Sequence, residues 1–265
     1  MKCKRIKLTK LMLLIPALLM STTIFMTNPA SAAPDEKKNE IEQKAMDGLA
    51  NMGNFLRTLK SFSINSDISR DEVLLSGQKI MVTGTSQLTA QRPNKLRISM
   101  EIDEINQDDS FYYDGKTFTL FGNNNRYYAS FKAPETIGKL IDLADRRYGI
   151  DFPLRDLFAW GTDNSKINNI QSALFIDLTE VNGVLCNHYA FRQKEVDWQI
   201  WIEQGKTPLP QKLVITSKME EGQPQYMSTM KWNLSPEISE ETFVFTPLAD
   251  SYKIEFKSYE DETTN

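Results

Sequence analysis

GVLCNHYAFRQKEVDWQIWIEQGKTPLPQKLVITSK, residues 183–218, reads as three successive β-strands. The first carries Cys186 and His188, and the second carries Trp198 and Trp201; after Gly205 a Pro208-Leu209-Pro210 corner hands the chain to Lys212–Lys218. Residues two apart on a strand share a face. Cys186 and His188 therefore stand side by side, while Trp198, Ile200 and Ile202 face one way and Asp197, Gln199, Trp201 and Glu203 the other. That places Trp201 on an otherwise polar face, as a cavity rim or as a cross-strand packing partner.

The period-two pattern continues on both sides of this block. Ala173–Glu180 and a turn at Asn182-Gly183 precede it, and Tyr226–Asn233, Phe243-Val244-Phe245 and Tyr252–Phe256 follow as the closing strands. Further upstream, Phe62, Ile64 and Ile68, then Leu96, Ile98, Met100 and Ile102, alternate with polar residues. Such alternation marks half-buried antiparallel strands with one wet face. Asp114-Gly115, between Phe111-Tyr112-Tyr113 and Thr117–Phe121, is a strong hairpin signal. Asn123-Asn124-Asn125 turns the chain again into Arg126–Lys132. Each strand is expected to pair mainly with its sequence neighbour.

Two segments carry the helical period instead. Within residues 35–60, Ile41, Ala45, Leu49, Met52, Leu56 and Leu59 recur every three or four positions. Residues 134–161 interrupt the strands. Pro134 is expected to open a helix with Ile137, Leu140, Ile141, Ala144 and Tyr148 on one face, and Pro153 a second with Leu154, Leu157 and Phe158 that ends near Gly161. This insertion is either a crossover filling the open side of a curved sheet or a lid over a cavity.

The first 32 residues read as an export leader. Lys2, Lys4, Arg5, Lys7 and Lys10 precede an apolar core at Leu11–Met20, and Ala30-Ser31-Ala32 fits a small-x-small cleavage site. Loss of the five basic leader residues leaves 26 Lys and Arg against 35 Asp and Glu, a net charge of −9 on residues 33–265. An acidic domain repels phosphate backbones, so nucleic acid is a poor partner. No linker or repeat divides 33–265, which is read as one domain of an exported, periplasmic protein (secreted, if there is no outer membrane). Cys3 leaves with the leader, so Cys186 has no partner for an internal disulfide and is expected in the core.

Recognisable chemistry is sparse. Cys186 and His188 are the only Cys and His after the leader, two ligands short of a structural zinc site. Gly115-Lys116-Thr117 and Gly205-Lys206-Thr207 imitate the end of a phosphate loop, but Ser110 and Ile200 stand where its first glycine belongs. Asp103, Glu104, Asp108 and Asp109 read as a solvated turn. The chain is expected to be no enzyme, to bind no metal and to need no cofactor.

The motif G-x-x-C-x-H-x-x-F, carried by Gly183, Cys186, His188 and Phe191, is followed by Asp197–Glu203, Gly205 and Pro208–Pro210. Pro224-Gln225-Tyr226, Trp232-Asn233, Phe243-x-Phe245 and the mid-chain Pro153-Leu154-Arg155-Asp156-Leu157 complete the pattern. In this the chain resembles a family of predicted periplasmic proteins, similar in architecture to the lipoprotein-localisation (LolA/LolB-like) carriers. The resemblance implies a mainly β fold with α: one curved antiparallel half-barrel sheet, an N-terminal helix, and a helical insertion capping the concave face. It implies no catalytic residue. The expected ligand is hydrophobic, a lipid or a lipidated protein, held by Leu140, Ile141, Leu157 and Phe158 facing Met100 and Ile102. Cys186, His188, Asp197, Trp198, Trp201, Pro208 and Pro210 are motif positions without an assigned role. The competing expectation is a cell-envelope interaction module whose core is filled by its own side chains and whose sheet edge docks a protein.

Overall fold

The computed structural model describes residues 40–258; the leader and the polar tail after 258 lie outside the described residues. Helix α1, Gln43–Thr58, packs Ala45, Leu49, Met52, Gly53 and Leu56 into the core. The expected start at 35 lies outside the described residues, and Glu40–Glu42 are drawn into sheet pairing: Glu42 N donates to Ala173 O, and Ala173 N donates to Glu40 O, both at 2.8 Å.

Six strands follow as a meander: β1 Ser61–Val73, β2 Lys79–Gln91, β3 Lys95–Ile102, β4 Gln107–Tyr113, β5 Thr117–Gly122 and β6 Tyr127–Lys132. Asp114 and Gly115, the latter at φ 98°, make the expected turn, with Asp114 Oδ1 accepting from Lys116 N and Thr117 N. A second meander comprises β7 Ser172–Val181, β8 Val184–Arg192, β9 Val196–Glu203, β10 Pro210–Ser217 and β11 Gln225–Asn233. Pairing of β1 with β11 joins the two into one open sheet of order β12-β6-β5-β4-β3-β2-β1-β11-β10-β9-β8-β7, where β12 is Tyr252–Lys253.

That order dictates the position of the insertion. Since β6 and β7 lie at opposite ends of the sheet, residues 133–171 must cross its whole width. They do so over the inner face. Helix α2, Ile137–Tyr148, is capped by Thr136, whose Oγ1 accepts from Lys139 N, and is stopped by Gly149 at φ 63°. Ile137, Leu140, Ile141 and Ala144 enter the main core with Phe62, Ile64, Leu96, Ile98, Phe111, Tyr113 and Phe118. The expected helix at Pro153 does not form there. Leu154 adopts φ 56°, a left-handed conformation that no α-helix continues through, and α3 is only Asp156–Ala159. Its Leu157 and Phe158 are buried in the core all the same.

The C-terminal strands also differ from expectation. Glu240–Phe243 is a 3-10 turn, and only Tyr252–Lys253 pairs, parallel to β6. Phe245 packs against Tyr112, Phe121 and Tyr128 on the outer face, whereas Phe256 packs against Phe118, Phe131 and Tyr148 on the inner side. The segment thus passes round the β6 edge. The aromatic spacing that suggested strands belongs to a strap.

Candidate functional site

Between the insertion and the second meander lies a cleft of about 840 Å³. Its apolar surfaces come from Ile141 on α2, Phe158 and Trp160 around α3, Ile170, and Val196, Trp198, Leu213 and Ile215 on the sheet. Strand alternation explains the floor: Trp198 and Ile200 point inward on β9, as do Leu213 and Ile215 on β10. Trp198 stacks on Phe191, centroids 4.2 Å apart, and faces Trp160 at 6.2 Å. This fixes the position of an indole that large.

The rim is charged. Asp142, Asp145, Arg155, Asp156, Lys166, Lys194 and Glu195 line it. Arg155 bonds Asp145 at 2.8 Å and approaches Asp151 at 3.6 Å. Burial raises the Asp156 carboxyl above the usual carboxylate range, with Arg155 opposing and Asp151 adding to the rise. The apolar floor under a charged rim suits an elongated molecule with an apolar body.

The six residues expected to hold a ligand do not converge. Ile141 and Phe158 line the cleft, while Leu140 and Leu157 are buried in the main core. Met100 and Ile102 do not face them. They form a separate cluster with Ile68, Val82 and Tyr226. The separation has a physical cause in the sheet. Ser228, Ser66 and Ser86 run diagonally across β11, β1 and β2, all at most 3 % exposed and none hydrogen-bonded through its hydroxyl. This serine row divides the inner apolar face in two. Beside it the Tyr226 hydroxyl is also buried, and burial pushes its pKa up to about 12, with the neighbouring Ser228 opposing the rise.

The motif residues have mostly packing roles. Cys186 is fully buried as expected, but in a small outer-face cluster with Val181 and Trp201 rather than in the main core. Its Sγ donates to Val184 O at 3.3 Å, and burial raises the thiol to about 11. His188 lies flat on Trp201, centroids 4.0 Å apart at 10°, with Nε2 3.0 Å from Gln199 Oε1. Trp201, with Lys212 over its ring at 4.8 Å, is a cross-strand packing partner. Asp197 accepts from Arg192 at 2.7 and 2.9 Å and from Lys218 at 3.3 Å, tying β8, β9 and β10 together. Beyond the corner, Leu209 is buried and Pro210 O accepts from Trp232 Nε1 at 2.7 Å, while Pro208 borders a shallower groove beside α1. Among the described residues no three His, Cys, Asp or Glu side chains gather as metal ligands would.

Sequence reasoning missed most of the cleft wall. Trp160, Ile170 and Val196 break no pattern on their own, and only the crossing of the insertion brings them together with Trp198. A family model described as "Predicted periplasmic protein (DUF2092)" matches residues 45–257. No curated protein matches the sequence. Among solved structures the chain is similar to the lipoprotein LppX of Mycobacterium tuberculosis, at 11% identity over 74% of this chain and 98% of that one, TM-score 0.46. LprF from Mycobacterium bovis gives 13% identity, 76% and 98% coverage and a TM-score of 0.46. A LolA superfamily protein from Nitrosomonas europaea gives 8%, 76% and 97%, with a TM-score of 0.39. Scores of this size leave ligand and partner to be argued from the chain's own geometry.

Proposed function

The chain belongs to the DUF2092 family of predicted periplasmic proteins, and from that premise we propose that it is a non-catalytic binding protein of the cell envelope. Its ligand is a lipid, free or attached to a protein, whose apolar chain lies in the cleft between the insertion and β9–β10. The observation that supports this reading is the cleft itself, about 840 Å³ between the insertion and the sheet over an apolar floor of Trp198, Leu213 and Ile215. Burial of a methylene contributes about 0.8 kcal/mol, so a chain of about ten carbons outweighs ordering costs of several kcal/mol. The ligand-contacting residues are then Ile141, Phe158, Trp160, Trp198, Leu213 and Ile215, not Met100 and Ile102.

Uptake of a fluorescent fatty-acid analogue by the protein lacking its leader tests this. Ala159 lines the cleft and is only partly buried, so Ala159→Trp narrows the space from inside without removing a core side chain. Uptake that saturates at one site and weakens by roughly fivefold or more in Ala159→Trp supports the reading. No uptake, or uptake indifferent to that substitution, sinks it.

A second reading, a module that docks an envelope protein, is favoured by the outer edge of β7. Residues 40–42 cover only its first half, and Ile176 and Leu178 beyond them are about half exposed. An extended segment added there would pair with the free backbone. Cross-linking from Leu178 rather than from the cleft would single it out.

A further inference from the structure

Two arginines reach backbone carbonyls of α3 and of the turn that follows it, and among the described residues neither is paired with an acid. Arg57, exposed in the last turn of α1, donates from Nη1 to Gly161 O at 2.6 Å. Arg92, at the end of β2, reaches Leu157 O from Nη2 at 3.5 Å and lies 5.3 Å above the ring of Phe158. Arg92 N donates to Lys60 O at 2.8 Å, which brings the start of β1 to the same place. Among the described residues no carboxylate is paired with either of them.

The carbonyls of Leu157 and Gly161 account for part of the arrangement, since cations suit the end of a helical turn. They do not account for the rest. Arg92 Nε is buried and has no hydrogen-bond partner, and a buried charged donor left unmade is among the costlier defects a fold can carry. Burial, and then the like charge of Arg57, hold the Arg92 guanidinium below its usual range. A counter-ion between the two guanidinium groups relieves the like charge. Paired guanidinium forks match the oxygens of phosphate better than any neutral group does.

We propose that Arg57 and Arg92 form an anion site that takes a phosphate group. The phosphate is either free or the head of an acylated ligand. In the second case the site rests on the cleft reading and deepens it, because Phe158, under Arg92, also lines the cleft. As a site for free phosphate it stands without that reading.

Thermal unfolding of the leaderless protein in sodium phosphate against sodium chloride, at matched ionic strength, is the test. Wild type rises saturably, by roughly 4 °C at ten times the dissociation constant. Arg57→Gln removes an exposed side chain and keeps the fold, and phosphate affinity falls by about tenfold. Arg92→Lys keeps the charge without the fork and weakens binding as well. Lauroyl glycerol phosphate and the neutral monolauroylglycerol separate the two sources. Tighter binding of the acyl phosphate than of both monolauroylglycerol and inorganic phosphate, dependent on Arg57, assigns the site to a lipid head. Acyl phosphate binding no tighter than inorganic phosphate assigns it to the free ion. An absent phosphate response in wild type, or an equal one in Arg57→Gln, overturns the proposal. Failure of monolauroylglycerol to bind would count against the cleft reading alone.

Discussion

His188 is the single histidine of the chain, so one ring resonance reports its titration without assignment work. Burial lowers its pKa from the usual 6.5, the Gln199 hydrogen bond opposes that, and the charge of Lys212 adds to it. A base with a depressed folded pKa stabilises the fold above 6.5 and loses that contribution as pH falls through the folded value. The NMR midpoint of His188 is therefore expected below 6.5, and in His188→Gln the decline of stability on the acid side of 6.5 should be shallower than in wild type. A midpoint at or above 6.5 would contradict the stacked, partly desolvated ring. Asp197 behaves similarly at lower pH. The bond from Arg192, with Lys218 assisting, holds its carboxyl below the usual range. Its contribution is present above about pH 4 and disappears as pH falls through the depressed value. Because the side chain is one-third exposed, Asp197→Asn should cost only about 1 kcal/mol in urea unfolding at pH 7, and progressively less as pH falls through the depressed value. At this scale the sequence was readable for packing: Trp198 and Trp201 on opposite faces follow from alternation, and the burial of Cys186 from its lack of a disulfide partner, although its cluster is not the main core. It was unreadable for Arg57 and Arg92. They are 35 positions apart, and only the docking of α3 and its following turn gives both a carbonyl in the same segment, Leu157 O and Gly161 O.

Helix α1 and the insertion touch where two glycines face each other. A Cβ on Gly53 would stand 2.7 Å from Gly161 N, and one on Gly161, at φ 74°, 2.6 Å from Gly53 O. Both obstacles are backbone, so neither can swing aside. Gly53→Ala must push α1 off the segment that carries Trp160 and Gly161, and a cost of about 1–3 kcal/mol is expected in urea unfolding. The Arg57–Gly161 bond should weaken with it, so Gly53→Ala also lowers phosphate affinity although it carries no charge. Neutral behaviour in both measurements would mean that the two elements are not packed as described. The same scale shows which elements alternation reveals. Strands β1, β3 and β8–β11 announce themselves through large inward residues such as Phe62, Ile98 and Trp198. Strand β2 does not: its inward positions include Gly84, Ser86 and Ala90, too small to raise a signal. The reason for one of them is visible only in the sheet, where a Cβ on Gly84 would sit 2.1 Å from Glu101 O on β3. Pro153 misled in the opposite direction. Its helix-opening reputation holds at a first helical position, and here it precedes a left-handed Leu154 instead.

At the scale of the molecule, an open sheet has two edges, and each is a template for unwanted pairing. Residues 40–42 shield part of β7; the C-terminal strap shields β6. Tyr252 N donates to Arg126 O and Ile254 N to Tyr128 O, at 2.8 and 2.9 Å, while Phe245 and Phe256 clamp the strap to opposite faces. The mainly antiparallel sheet and the crossing insertion could be read from the order of strand and helix signals. The strap could not, because its aromatic residues recur at strand-like spacing although they straddle an edge. Removal of residues 244–265 leaves the outer backbone of β6 unpaired and uncovers Phe118, Phe131 and Tyr148. Each of the two half-buried phenylalanines lost contributes about 1–2 kcal/mol, so the truncated protein should still fold but with a lower urea midpoint. Its free edge should then pair between copies. Sedimentation velocity is expected to show concentration-dependent association beyond that of the full-length protein, suppressed by Tyr128→Pro, which blocks pairing along β6. If truncation lowers stability without promoting association, the strap is a fastening for the aromatic cluster and not a guard on the edge.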